Sequence, residues 1–448
     1  MLTDFIYSPY FYYSNLIVFL FFAGLVYQFS SDLIHRQRNS SFLVEFLSTE
    51  KLLFGNWGAG VRLKLSSDLF LLAAGALSFT AYFLNSLIRE AWPGPIRFLS
   101  LCFQHLFFFL LFIKIIFATK YSGWQLSFAF VSFFILRWTF FNSHYYWFMV
   151  GVLFVYAAKG CDLRRALRAC LYTSGISMLA VALLAIFHLI PDGTILHFDG
   201  RLRYSFGYGW PNLTGAYLLG IAVMYVCYRG LKSLKWFDFC ILAAAALFCN
   251  FGPDSRAATL CLAALVCALL VAKFFPVIFR LSFFRILFSL VPTIFVGISI
   301  AASAFFNDDN SIMRFLNGLF SGRIALGNIA FNTCPIKIAG QSLVPYESVV
   351  IDNIYLFLLF SFGPVVLVMF TAGLSCLLWK LLKGEHITEA ICVLVFLLHG
   401  LMEHHIIWPC VNVTLWLMAG VVFFTKASQF PDFSDEHSSK AYCKTAIK

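Results

Sequence analysis

Thirteen apolar stretches, separated by short polar interruptions, occupy the chain between residues 10 and 425. A backbone in hydrocarbon has to satisfy its N–H and C=O groups within its own segment, and a helix of about 20 apolar residues does so while crossing the bilayer. The stretches lie at 10–29, 68–87, 97–118, 124–141, 145–158, 168–190, 212–228, 236–251, 257–273, 284–306, 350–379, 388–404 and 409–425. Hydrophobic residues make up 61% of the 448 and charged residues only 12%, about half the charged share of a soluble domain. These features predict an all-α polytopic membrane protein of about 12–13 transmembrane helices with no sizeable soluble domain. Glu45, Glu50 and Lys51 interrupt 41–60, which reads as an interfacial segment. The 350–379 stretch is long enough to be tilted, or to begin outside the hydrocarbon.

Basic residues orient such a chain, because cytoplasmic connections are enriched in Lys and Arg. Of the 32 basic residues, 23 fall on one side of the alternating runs. They stand around Arg36, Lys64, Lys120, Arg164, Lys232, Arg280, Lys380 and the C-terminal tail. That side is assigned to the cytoplasm. The opposite side takes short connections near 88–96, 141–145, 252–256 and 405–408, and the loops 191–211 and 307–349. The organisation expected is a set of N-terminal transmembrane helices over 1–190, a second membrane region over 191–425, and a disordered cytoplasmic tail over 426–448. Residues 1–13 show no basic n-region or small-residue cleavage site, so the first apolar run is expected to be retained as a span.

Six of the nine basic residues off the cytoplasmic side lie in or beside three segments: Arg201, Arg203, Arg256, Arg314, Arg323 and Lys337. Lone membrane arginines commonly snorkel, with the stem in lipid and the charge among headgroups. Clustering against the charge bias points instead to an anion site, since the planar guanidinium fork matches phosphate and pyrophosphate. The Arg201–Asn212 loop carries Gly207-x-Gly209 ahead of Pro211-Asn212, a tight turn into a helix for which Asn212 is a candidate N-cap. In Gly252-Pro253-Asp254-Ser255-Arg256, Asp254 and Arg256 are candidates for a simple turn pair. Ser321-Gly322-Arg323 reads as the start of a short helix within the long loop. Acidic residues close the pattern: Asp352-Asn353-x-Tyr355 opens the run after that loop, and Glu403-His404-His405 ends the penultimate one.

Metal and redox chemistry have little support. None of the 13 cysteines forms a Cys-x-x-Cys pair, and only Cys334 and Cys410 stand near external segments. Glu403-His404-His405 has metal-ligand residue types, but neighbours on a helix point about 100° apart. No metal or cofactor is expected, and no nucleic-acid partner.

In this order, the Arg201–Asn212 loop, Ser255-Arg256-Ala257, Ser321-Gly322-Arg323, Asp352-Asn353-x-Tyr355, and Glu403 with Asn412 resemble the O-antigen ligase and polymerase family. The resemblance covers roughly 190–425. It implies a GT-C-like glycosyltransferase in the bacterial cytoplasmic (inner) membrane, its site facing away from the cytoplasm, with the bilayer and an undecaprenyl-pyrophosphate-linked oligosaccharide as partners. A flippase and a chain-length regulator would serve the same pathway. The reaction it implies is metal-independent, with arginines neutralising the departing pyrophosphate and a carboxylate deprotonating the attacking sugar hydroxyl. Carried onto this sequence, Asp352 is the first candidate base and Glu403 the second. Arg201, Arg203 and Arg323 form the clamp, with Arg256 behind them, and Asn212, Asn353 and Tyr355 complete the substrate-binding set. Where ligases of the family carry a histidine before the asparagine, this chain has Asp352. That favours a polymerase of O-antigen, capsule or exopolysaccharide over a ligase to a lipid acceptor. A flippase or transporter for a lipid-linked glycan is the main rival outside enzymes. Its site would lie near mid-membrane on broken helices, whereas these arginines stand at a rim.

Overall fold

A computed structural model of the chain describes residues 9–35, 42–53, 59–196, 200, 202–346, 349–423 and 433. The principal helices are α1 (Pro9–His35), α2 (Ala59–Phe79), α3 (Pro93–Phe117), α4 (Gly123–Ser143), α5 (Trp147–Ala157), α6 (Leu163–Ile186) and α7 (Pro211–Arg229). They continue with α8 (Trp236–Phe251), α9 (Arg256–Phe274), α10 (Ser282–Ala304), α11 (Arg323–Thr333), α12 (Pro364–Lys383), α13 (Ile387–Gly400) and α14 (Met418–Phe423). Among the described residues nine helices are long and apolar enough to cross a membrane: α1 to α4, α6, α7, α9, α10 and α12. The shorter apolar helices α5, α8, α13 and Val413–Phe423 account for the remaining runs. The protein is thus an all-α multi-pass membrane protein. Its strands, among the described residues, are two short antiparallel ladders: Lys51–Leu52 (β1) with Lys120–Tyr121 (β2), and Ile195–Leu196 (β3) with Leu202–Arg203 (β4).

One end of the bundle is held by buried lysines. Lys159, just after α5, is 4% exposed, yet its Nζ donates to Glu50 Oε1 (2.6 Å), the Lys120 carbonyl (2.7 Å) and Gln125 Oε1 (2.5 Å). Lys114, fully buried on α3, donates to Thr119 Oγ1 (2.5 Å) and the Lys159 carbonyl (2.9 Å). A buried ammonium is tolerated only when its protons are taken up this way. The bonds tie the 42–53 segment into this end through Glu50, the residue that breaks its apolar pattern.

The opposite end carries the long connections. At the end of α2 the helix widens into a π turn over Thr80–Leu84. Thr80 Oγ1 donates back to the Ala76 carbonyl (2.8 Å), a bond that competes with the helix ladder and bends it. The carbonyls of Ala81 and Tyr82 accept from Tyr217 Oη (2.9 Å) and Tyr208 Oη (2.8 Å). Tyr208 is fully buried, so the second bond nails the 202–210 loop to α2. Leu87 N donates to the Gly207 carbonyl (2.8 Å) and Gly207 N to the Asp192 carbonyl (3.0 Å), fixing both sides of that turn. Gly207 has φ +85°, a left-handed conformation in which a side chain would also press on Val181. Of the loop's aromatics, Tyr208 and Phe206 pack inward, Phe206 against Phe248, whereas Tyr204 and Trp210 are exposed.

The 350–379 run is neither one tilted helix nor a straight crossing. A helical segment over 354–362 ends at Gly363, and α12 begins at Pro364. The long loop crosses at this break, with Gln341 N donating to the Ser361 carbonyl (3.1 Å). A Cβ at Gly340 (φ +71°) would sit 2.0 Å from that same carbonyl oxygen. The long loop has structure of its own, since it forms Ser311–Leu319 as well as α11. Cys334 and Cys410 are both free thiols. Of the tail, only Phe433 lies within the described residues.

Gly340→Ala is expected to destabilise the fold by more than about 2 kcal/mol, because backbone must move and the residue must hold positive φ. The check is the thermal midpoint of detergent-purified protein; an unchanged midpoint would show that the two segments do not cross here.

Candidate active site

Five separated pieces of chain converge on one carboxylate at the loop-rich end. Glu403 stands in the turn after α13, and its side chain is 4% exposed. Its Oε1 accepts from Asn212 Nδ2 (2.7 Å) and from Arg323 Nη2 (2.8 Å). The Arg323 guanidinium also pairs with Asp352 Oδ2 (3.2 Å), and its Nε donates to the Met402 carbonyl (3.2 Å). On the other side Asn212 Oδ1 accepts from Arg203 Nη2 (2.7 Å), which also reaches the Asp254 carbonyl (2.9 Å). The Arg203 Nε stands 4.0 Å from Asp254 Oδ2. A line of alternating groups results: Asp254, Arg203, Asn212, Glu403, Arg323, Asp352.

Local sequence explains each placement. Arg203 ends β4, whose two-residue ladder and buried neighbour Ser205 fix the loop; Ser205 Oγ donates to the Asp192 carbonyl (2.7 Å). Asn212 is not the N-cap: Trp210 occupies that position and Pro211 opens α7. This frees the Asn212 amide to bridge Arg203 and Glu403, one end donating and the other accepting. Arg323 opens α11 after two left-handed residues, Ser321 (φ +54°) and Gly322 (φ +84°), which turn the chain sharply inward. The Asn353 side chain caps the 354–357 helix, accepting from Tyr355 N (2.9 Å), while its Nδ2 donates to Ser299 Oγ (2.9 Å) and the Leu401 carbonyl (3.1 Å). Asn353 therefore places Asp352 and the turn leading to Glu403, but its own amide is used up. Tyr355 is likewise buried, its hydroxyl bonded to the Leu397 carbonyl (2.9 Å). Both residues are engaged in bonds within the fold, next to the site.

One expectation about a contact changes. Asp254 faces Arg203 rather than Arg256, which stands exposed at the start of α9. Arg201 lies outside the described residues. The two acids stand in different surroundings. Asp352 is 25% exposed with Arg323 beside it, whereas Glu403 is enclosed and doubly held. Burial raises the Glu403 carboxyl to about 7; Arg323 pulls against that rise, and Asp352 adds to it.

Residues that the sequence pattern did not single out complete the enclosure. Trp408 Nε1 donates to Tyr145 Oη (2.8 Å), and Trp408 stacks on Trp147 at 4.9 Å. The His404 ring lies nearly parallel to Phe357 at 5.2 Å. Nothing in the spacing of Tyr145, 258 residues before Glu403, signals this meeting. Among the described residues no group of three or more His, Cys, Asp or Glu could hold a metal ion. A sizeable cavity lies away from the charged line. It is an apolar groove of about 470 Å³ between α4, α5, α12 and the 413–423 segment, with Phe148 and Ile407 among its lining. Ile407, which lines the groove, stands four residues after Glu403 in the chain.

Comparison with models of known families, with characterised proteins and with solved structures gave no match.

The raised carboxyl fixes the sign of a pH effect. Folded Glu403 keeps its proton where an unfolded glutamate has lost it, so this stabilising contribution is complete below the ordinary carboxyl range. It is lost as pH rises toward about 7. Relative to Glu403→Gln, wild-type protein should therefore lose melting temperature between about pH 5 and about pH 8, a difference opposite in sign to the contribution of the buried neutral His405. A profile that Glu403→Gln leaves unaltered would place the titration elsewhere.

Proposed function

We propose that this chain is a membrane glycosyltransferase, a polysaccharide polymerase that transfers glycan from an undecaprenyl-pyrophosphate carrier to a sugar hydroxyl on the outer face of a bacterial cytoplasmic membrane. The observation that carries this reading is the buried Glu403 carboxylate, held on one oxygen between Asn212 and Arg323 with a second arginine, Arg203, across the asparagine. The bias of basic residues toward the other end of the bundle supports an extracytoplasmic site. Of the ordered motifs that resemble the O-antigen ligase and polymerase family, Arg203, Asn212, Arg323, Asp352 and Glu403 meet at one place, which supports the enzyme class and its GT-C-like architecture. Asp352, standing where ligases of the family have histidine, supports polymerase over ligase.

In this reading the acceptor hydroxyl loses its proton to Glu403 as its oxygen attacks the anomeric carbon. The bond from that carbon to the pyrophosphate breaks, and the pyrophosphate leaves with the electron pair. A base near 7 suits this step, being ionised at neutral pH yet able to hold the proton it receives. At rest Arg323 faces two carboxylates, Asp352 and Glu403. Protonation of Glu403 removes one of them at the moment negative charge grows on the leaving group, so Arg323 becomes free to stabilise it. The apolar groove suits the hydrocarbon of the carrier, and about 470 Å³ is within the range of ordinary ligand cavities.

Deleting the gene in its host should abolish polymer and leave single repeat units on the carrier or transferred singly, read on gels of polysaccharide and lipid-linked intermediates. Complete polymer left on its carrier would indicate a ligase, and units trapped in the inner leaflet a flippase. In the complemented strain Arg203→Ala, Arg323→Ala and Glu403→Gln should each reduce polymer about 100-fold or more at normal protein level. Arg→Lys should restore only part of it, since a point charge replaces a fork. Wild-type polymer in all three variants would overturn the assignment.

A further inference from the structure

The two oxygens of Glu403 are treated differently. Oε1 takes both bonds, from Asn212 and Arg323, and no described residue donates a hydrogen bond to Oε2. Facing Oε2 at 3.8 Å is Nδ1 of His405, a buried nitrogen that also has no hydrogen-bond partner. That separation is too long for a hydrogen bond, but a small side-chain rotation closes it, and catalytic contacts often tighten only when substrate binds.

The His405 ring is braced. Trp408 meets it edge to face at 4.7 Å and His404 lies nearly parallel at 5.0 Å. Trp408 is held in turn by Tyr145 and Trp147. A residue needed only for packing would be served better by a phenyl ring, which fills the space without burying an unbonded nitrogen. The charged and titratable groups around His405 are Glu403, His404 and His399, with Arg323 and Asp352 beyond Glu403. The one whose carboxylate directly faces Nδ1 is Glu403.

We infer that His405 is a positioning residue that takes onto Nδ1 the proton Glu403 receives at Oε2, returning the base to its ionised form inside the closed site. The inference rests on the reading of Glu403 as the base. The O–H bond of the acceptor breaks, the proton passes through Oε2 to Nδ1, and no oxidation or reduction is involved. The imidazolium then stands against the carboxylate until product leaves and solvent takes the proton. Burial, with His404 and His399 close by, holds His405 neutral, and the Glu403 carboxylate facing Nδ1 is the anion placed to stabilise its charged form.

The test is histidine-selective nitrogen NMR on the full chain in lipid nanodiscs, titrated through neutral pH, with the His405 signal assigned by its loss in His405→Phe. In wild type His405 should become imidazolium as pH falls, and Glu403→Gln should lower that midpoint by about one pH unit or more. A midpoint indifferent to Glu403→Gln, or a His405 that stays neutral throughout, overturns the inference. Should His405→Phe fail to fold, His405→Asn supplies the assignment. A second arm measures transfer by the same variants, using the lipid-linked glycan extracted from the deletion strain. His405→Phe should slow turnover and displace its pH optimum while the KM for the glycan stays near wild type; a turnover and pH profile matching wild type overturns the inference. Loss of transfer in Glu403→Gln without coupling to His405 would remove this inference and leave the proposed function standing. Full transfer in Glu403→Gln would remove the base itself, and the inference with it.

Discussion

The end of the bundle that carries the site is organised around a carboxylate taken out of water. Glu403 would be costly to enclose on its own, and Arg323 and Asn212 are what make its position tenable. Because Arg323 comes from the long loop and Asn212 from the start of α7, their shared acceptor also joins parts of the chain 80 and 191 residues away. The same contact therefore closes the tertiary structure here and sets the proton affinity of the group best placed to act as a base.

That contact needs a rigid frame. The π turn over Thr80–Leu84 offers carbonyls that the buried hydroxyls of Tyr208 and Tyr217 occupy. The loop bearing Arg203 is consequently seated on α2 rather than left free above the bilayer. On the other flank, Asn353 spends its amide on a helix cap and on the Leu401 carbonyl, two residues before Glu403. Left-handed backbone at Ser321 and Gly322 stands directly ahead of Arg323 and turns it inward. The arginines at rest are matched with acids, so the site is not an open basic patch. An anion entering it would have to share Arg323 with Asp352 and Glu403, and proton movement on Glu403 is a direct way of changing that share.

Much of this was legible in the residues. The apolar runs mark the nine described helices long enough to cross and the four shorter apolar ones, because hydropathy depends on composition over a helix length and not on partners. The arginines and acids stood out because polar groups in such a chain have few reasons to be there. What misled was local geometry. Asn212 looked like a helix cap because it follows a proline, yet the cap falls two residues earlier and the amide serves as a bridge. Asp254 and Arg256 looked like a turn pair from adjacency, yet Asp254 faces Arg203, 51 residues away.

By itself the sequence determined the membrane class, the rough limits of the apolar helices, and the handful of polar residues that had to be accounted for. These follow from solvation of single segments, which a chain carries in its own composition. Only the tertiary structure decided which acid is enclosed, which of its oxygens takes the hydrogen bonds of the described residues, and that His405 lies beside the other. Those properties depend on distances between residues from different helices, and helix periodicity says nothing of them.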